Sequence, residues 1–219
     1  MKTIIITGVS DGLGYQLAKK AQNQGLKVVG ISRSIPDLKI EHIQGDLTDE
    51  KGLLETVKIV KEKYSDFDVL VNCAGMLSVK PLGKVDYEET LRLFKLNVIA
   101  PLFLVSELVD LIKSNEADIV NIGSTVGLKA YEKQASYGAS KWAVRGLNQN
   151  LQLEFKNTKC RVIGFNPGGF KSQFFEKATG EVNNDWGGWM DPSEIADFIL
   201  QILELPKTME VSDIVLNRK

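Results

Sequence analysis

The 219-residue chain has one histidine and two cysteines. A lone His42 cannot build a histidine-rich metal site, and a Ser-His-Asp triad would have to use it, so it is read as structural. Cys73 and Cys160 are far apart and follow no paired spacing, which argues against a disulfide framework and against zinc and fits a reducing cytoplasm. No metal is expected. Charge of one sign is also lacking: 27 basic residues face 28 acidic ones, for a net charge of −1. That balance leaves no basic face for nucleic acid and no polybasic membrane anchor, and points to a small neutral or anionic ligand. Long apolar runs are missing too. The opening "MKTIIITGVS" is too short for a signal core or a membrane span and is broken by glycine, so no targeting segment is expected. There is no internal repeat and no low-complexity linker. The acidic residues scatter over predicted helices and look like solvated faces, which gives no support for a hydrolytic carboxylate pair.

An apolar content of 43% over this length suits one domain, residues 1–219. Short β-branched runs ("TIIIT", "KVVGIS", "IEHIQGD", "DVLVNCAG", "ADIVNIGS", "RVIGFNPG", "DIVLNR") read as strands buried on both faces. Helical patterns lie between them at Leu13 to Asn23, Asp49 to Tyr64, Tyr87 to Ser114, Ala135 to Phe155 and Pro192 to Leu203. This alternation predicts an α/β fold: a doubly wound, Rossmann-type parallel sheet of about seven strands with helices on both faces. One long irregular stretch, residues 169–190, combines glycines with Phe170, Phe174, Phe175, Trp186 and Trp189. It is expected to be a lid over an apolar or aromatic compound, or else a loop that its rings anchor to the core.

Gly8, Gly12 and Gly14 fall between the first strand and the first helix, with Ser10 and Leu13 in the same turn. Glycines there let the backbone approach a pyrophosphate at the positive end of the helix. Further on, "SYGASK" sets Tyr137 and Lys141 four residues apart, on one face of a helix. Alone, that pair is better read as a solvated helix face, because Tyr and Lys are common surface residues. Pro101 has no N–H, so the Asn97 carbonyl loses its i+4 donor and the helix should kink there.

Taken together, "TGVSDGLG", "GDLTD", "NCAG", "NIGS", Tyr137 with Lys141, and "NPGGF" come in the order that resembles the short-chain dehydrogenases/reductases. The resemblance covers the whole chain and implies a nicotinamide-dependent oxidoreductase. It implies that Asp46 and Leu47 lie against the adenine, that Asn72, Ala74 and Gly75 line the ribose and nicotinamide approach, and that Pro167, Gly168, Phe170 and Ser172 receive the carboxamide end. It further implies a catalytic set of Asn97, Ser124, Tyr137 and Lys141. In that set Ser124 holds the substrate oxygen, Tyr137 is the acid or base, and a water held by the Asn97 carbonyl links to Lys141. A phenol titrates near 10, so proton transfer near neutrality needs a drop of about 3 units, which a cation about 4 Å away can supply.

After the second strand, NAD-preferring sites carry an acidic residue. Here Ser32, Arg33 and Ser34 stand in its place, a guanidinium and two hydroxyls that suit a 2′-phosphate. NADP(H) is therefore expected over NAD(H), although Asp11 sits where some NADP-preferring relatives carry a basic residue. Met76, Leu77, Leu128 and Tyr131 would add apolar wall. The resulting expectation is an NADPH-dependent carbonyl reductase acting on a small molecule in the cytoplasm. The alternatives are a non-catalytic NADP-sensing protein on the same fold, a 3-oxoacyl thioester reductase, and, less in keeping with this length, a nucleotide-sugar epimerase, which would be expected to need a larger carboxyl-terminal substrate domain. The missing glycine-rich tail after "DIVLNRK" argues for a homodimer through the helix around Trp142 to Phe155, with a tetramer as the alternative.

Overall fold

The computed structural model describes residues 2–182 and 185–219. Seven parallel strands, β1 (Thr3–Thr7), β2 (Lys27–Ser32), β3 (Glu41–Gln44), β4 (Val69–Asn72), β5 (Asp118–Ile122), β6 (Val162–Pro167) and β7 (Asp213–Leu216), form one sheet in the order β3-β2-β1-β4-β5-β6-β7. Helices α1 (Gly12–Asn23), α2 (Glu50–Lys63), α3 (Tyr87–Phe94), α4 (Ala100–Glu107), α5 (Val109–Ser114), α6 (Ala135–Glu154), α7 (Phe174–Thr179) and α8 (Pro192–Glu204) connect them. The doubly wound parallel sheet expected from the alternation is what the chain forms.

The period of two in a strand explains the layers. Along β1, Ile5 packs with Leu53, Val57, Leu104 and Leu151 on one face, under α2, α4 and α6. Its neighbours Ile4 and Ile6 pack on the other face, with Leu13 and Leu17 of α1 and Ile195 and Ile199 of α8. Fully burying each such side chain stabilises the fold by about 1.5–3 kcal/mol. The expectation of burial on both faces fails at the two edges. β3 and β7 each have one flank without a strand, and Glu41, Gln44, Asp213 and Val215 are exposed.

The predicted helix from Tyr87 to Ser114 is three helices. Between α3 and α4 the backbone widens into a π-helical turn, Lys95–Ile99, where the Ala100 amide reaches back five residues to the Lys95 carbonyl. Pro101 follows at once and offers no donor to the Asn97 carbonyl, so the expected distortion takes this form. A second break falls at Leu108, where φ is −100° and ψ is 7°.

At the amino ends of the strands, Asp118 and Arg161 form a buried pair: Nε donates to Oδ1 at 3.1 Å and Nη2 to Oδ2 at 2.6 Å. Arg161 also donates to the carbonyls of Leu203 and Leu205, and Lys207 reaches Asp118 Oδ1 at 2.5 Å. These bonds fasten the end of α8 to β5 and β6. The opposite, carboxyl end of the sheet is left to the loops. There the chain reverses its direction of winding on either side of β1, the place where open parallel sheets form a crevice.

Candidate active site

A cleft of about 1040 Å³ opens at that crevice. Its floor is the turn from β1 into α1. Gly8 and Gly12 have φ of +79° and +58°, in the left-handed region that favours glycine. A Cβ on Gly8 would lie 2.7 Å from the Ala74 Cα, and one on Gly14 would collide with the Gly8 carbonyl oxygen. Asp11 caps α1 without a side-chain bond to its amides and instead ion-pairs with Lys177 of α7. The turn therefore keeps a backbone cradle at a helix N-terminus, which fits a phosphate group. Thr7 was not singled out from sequence, yet its hydroxyl accepts the amides of Cys73 and Ala74, both at 3.0 Å, and so fixes the "CAG" wall beside this cradle.

Ser124, Tyr137 and Lys141 share the opposite wall, where Ser124 caps a 3₁₀ turn after β5 and the other two lie on the first turns of α6. Burial pushes the Tyr137 hydroxyl up to about 12, against the hydrogen bond with Ser124, which lowers it. Burial also brings Lys141 down to about 8. Its ammonium donates to the Ile122 carbonyl at 2.8 Å and lies 5.8 Å from the centre of the Tyr137 ring. The expected depression of the phenol by this lysine is thus overturned for the chain's own groups: loss of water dominates both side chains. Cys73, in the same cleft, is pushed by burial up to about 12 and stays a thiol at neutral pH.

Asn97 does not line the cleft. It is 3% exposed, and its amide clamps the backbone of Met76, accepting from the N–H at 2.7 Å and donating to the carbonyl at 2.9 Å. Its second donor goes to Ser140 Oγ at 3.0 Å, and Ser140 donates in turn to the Tyr137 carbonyl at 2.7 Å. One side chain thus ties the π-helical turn to the Met76 backbone in the cleft wall and to α6. Asn72, expected on the ribose, is also off the cleft, because its amide is turned into the sheet. It donates to Asn121 Oδ1 at 2.7 Å, and Asn121 donates to Asn148 at 2.6 Å.

At the far end of the cleft from Tyr137, Ser32, Arg33, Asp46 and Leu47 form the wall, but Ser34 does not. The Ser32 hydroxyl gives its proton to the Ser34 carbonyl at 2.8 Å and meets His42 Nε2 at 2.9 Å. Burial lowers the His42 pKa, so the neutral ring donates to Ser32 and fixes the loop from behind. Burial would raise the Asp46 carboxyl, but bonds from Thr48 and the charges of Arg33 and Arg92 outweigh it and hold it below the usual carboxylate range.

Phe174, Lys177, Ala178 and Gly187, from the chain between Phe170 and Met190, also line the cleft, and Phe170 and Met190 meet in a parallel β-bridge. Asn183 and Asn184 of this stretch lie outside the described residues. Phe174 packs edge-on against Tyr137 with ring centres 6.3 Å apart, and its ring would lie 3.5 Å from a Cβ on Gly75. Phe170, Phe175 and Trp189 line the cleft with Met76, Leu77 and Tyr131, whereas Trp186 and Leu128 do not. Also on the wall are Gln134, whose Oε1 has no partner among the described residues, and Asn217, Arg218 and Lys219. Nothing in the pattern of the sequence marked these four.

Comparison with known proteins places this geometry. Residues 2–183 match the family described as short chain dehydrogenase. An uncharacterized oxidoreductase of Staphylococcus saprophyticus is 28% identical over 229 residues, covering 97% of this chain and 95% of the relative. Among solved structures, an alcohol dehydrogenase from the archaeon Thermococcus sibiricus complexed with 5-hydroxy-NADP superposes with a TM-score of 0.88 at 23% identity, covering 99% of this chain and 96% of that one. A 4-hydroxyisoleucine dehydrogenase complexed with NADH also has a TM-score of 0.88, at 22% identity over 100% of this chain and 98% of that one. A family match over most of the chain agrees with the glycine turn and with the wall that carries Tyr137 and Lys141, and the protein belongs to the short chain dehydrogenase family of oxidoreductases.

Proposed function

We propose that the protein reduces the carbonyl group of a small molecule with a nicotinamide dinucleotide, preferring NADPH. The observation that carries this reading is the meeting of Ser124, Tyr137 and Lys141 on one wall of a cleft whose floor is a glycine turn at a helix N-terminus. The turn from Gly8 to Gly14 would hold the pyrophosphate, Ala74 and Gly75 the nicotinamide approach, and Pro167, Gly168, Phe170 and Ser172 its carboxamide end. When bound, the dinucleotide supplies a hydride to the carbonyl carbon.

The chain's own groups do the rest. Ser124 hydrogen-bonds the substrate oxygen, and Tyr137 gives that oxygen its proton. The phenol, pushed by burial up to about 12, holds its proton at neutral pH, so donation depends on stabilising the phenolate that forms. Lys141 and Ser124 then stabilise the phenolate left behind, and Lys141 holds the ribose hydroxyls. Phe174, against Tyr137, excludes water from the exchange. The preference for NADPH rests on Arg33 in the cleft wall and on the absence of an acidic residue at the end of β2, Asp37 being no part of that wall. Free Cys73 and Cys160 suit a reducing cytoplasm, and Trp142 and Leu153, exposed on α6, suit pairing of two subunits.

The test is Tyr137→Phe. Turnover with NADPH and a panel of ketones, aldehydes and 3-oxoacyl thioesters should fall by about 100-fold or more, with NADPH affinity retained. Unchanged turnover would remove Tyr137 as the proton donor, and no turnover by the parent protein on any carbonyl would favour a cofactor-sensing role.

A further inference from the structure

We propose that Arg218 binds an anionic group on the substrate, so that the molecule reduced is an oxo acid and not a neutral ketone or aldehyde. This rests on the reductase reading above and narrows its substrate class.

The end of the cleft around Tyr137 is walled by Tyr131, Gln134, Phe174, Trp189 and the chain from Asn217 onward. Among the described residues no Asp or Glu side chain lines this end. The cleft's two acidic side chains are elsewhere and occupied: Asp11 pairs with Lys177 at the glycine turn, and Asp46 accepts from Thr48 near Arg33. Arg218 has no carboxylate partner and no hydrogen bond among the described residues; its one recorded contact is with the Trp189 ring, whose centre is 4.9 Å from the guanidinium carbon. An arginine stacked on an aromatic face keeps its edge donors free, in the planar fork that matches a carboxylate.

The placement is built by the backbone. The Gly168 amide donates to the Leu216 carbonyl at 2.7 Å, and a Cβ on Gly168 would come within 3.2 Å of that oxygen and 3.6 Å of the Arg218 nitrogen. Trp189 lies over Gly169, where a Cβ would meet its ring at 2.9 Å. The two glycines of "NPGGF" therefore admit both the stacking ring and the strand end that carries Arg218. They bring the Arg218 backbone beside Gly168 and leave its guanidinium over the Trp189 ring, which packs on Gly169 of the turn assigned to the carboxamide end of the cofactor. A substrate with its carbonyl at Tyr137 and an anionic group toward Trp189 would meet Arg218, which has no carboxylate partner among the described residues.

The experiment compares pyruvate, acetoacetate and levulinate with their methyl esters as substrates of the full protein with NADPH, in the parent, Arg218→Ala, Arg218→Lys and Lys219→Ala proteins. The acids should be reduced with a kcat/KM about 10-fold or more above that of their esters. Arg218→Ala should abolish that gap through KM and leave the esters within about two-fold, Arg218→Lys should restore part of it, and Lys219→Ala should keep it. A second measurement does not depend on turnover. Succinate should change the tryptophan fluorescence of the NADP-bound protein saturably, and Arg218→Ala should weaken that response by about 10-fold. Esters reduced as well as acids, or an equal loss on both in Arg218→Ala, would overturn the proposal and leave the reductase reading standing. Succinate binding through Arg218 without reduction of any carbonyl would do the reverse, sinking the reductase reading and supporting the anion site.

Discussion

Lys141 pits stability against chemistry. Burial lowers its pKa from 10.5 to about 8, so between those values the unfolded chain binds more protons than the folded one, and stability rises with pH across that window. Tyr137 acts in the opposite sense and higher up: raised from 10.0 to about 12, it makes stability fall as pH climbs through that range. Cys73, raised by burial from 9.0 to about 12, likewise lowers stability as pH climbs above 9, so the net rise should appear from about pH 8 to 9. Lys141→Met should raise the denaturant midpoint at pH 7, flatten the rise and abolish turnover; parallel stability curves for the two proteins would locate the pH dependence elsewhere. At the other end of the cleft, Arg33→Ala should weaken NADPH binding by about 1.5–3 kcal/mol and leave NADH nearly unchanged. Equal losses in a binding titration would deny Arg33 the 2′-phosphate. Residues of this kind were legible in the sequence because their chemistry is tied to a motif. Thr7, Ser140 and Arg218 were not, since a hydroxyl that caps a neighbouring loop, or a guanidinium brought in by a distant strand end, leaves no local pattern.

The segment from Tyr87 to Ser114 has one apolar pattern, and nothing in its period distinguishes α3, α4 and α5 from a single helix. Only Pro101 betrayed a distortion, and it could not reveal that the backbone would widen by one residue and turn the Asn97 side chain toward Met76. That turn matters for the wall of the cleft. Asn97→Ala would leave the Met76 N–H and carbonyl and the Ser140 hydroxyl without this partner. The expected loss is about 2–4 kcal/mol of stability, with weaker cofactor binding as the Cys73–Met76 wall loosens. Calorimetry and a cofactor titration on the same variant would check both, and intact cofactor affinity would show that the clamp serves the fold alone.

Across the whole molecule the two ends of the sheet have separate duties. The amino ends are closed by Asp118, Arg161 and Lys207, and the carboxyl ends hold the cleft. Asp118→Ala strands the Arg161 guanidinium in the interior and should cost about 3–5 kcal/mol. NADPH affinity of the folded variant should not change, and a loss of affinity matching the loss of stability would mean that the two ends are coupled. A doubly wound parallel sheet could be read from the alternation of elements, but this buried pair could not, because its partners are 43 residues apart and become neighbours only when β5 and β6 lie side by side. The bridge between Phe170 and Met190 has its own consequence at this scale. It ties the two ends of the intervening chain to each other, and closure entropy grows by only about 0.6 kcal/mol for each doubling of loop length. Residues inserted between Phe170 and Met190 should therefore change the lining of the cleft at almost no expense to the sheet beneath.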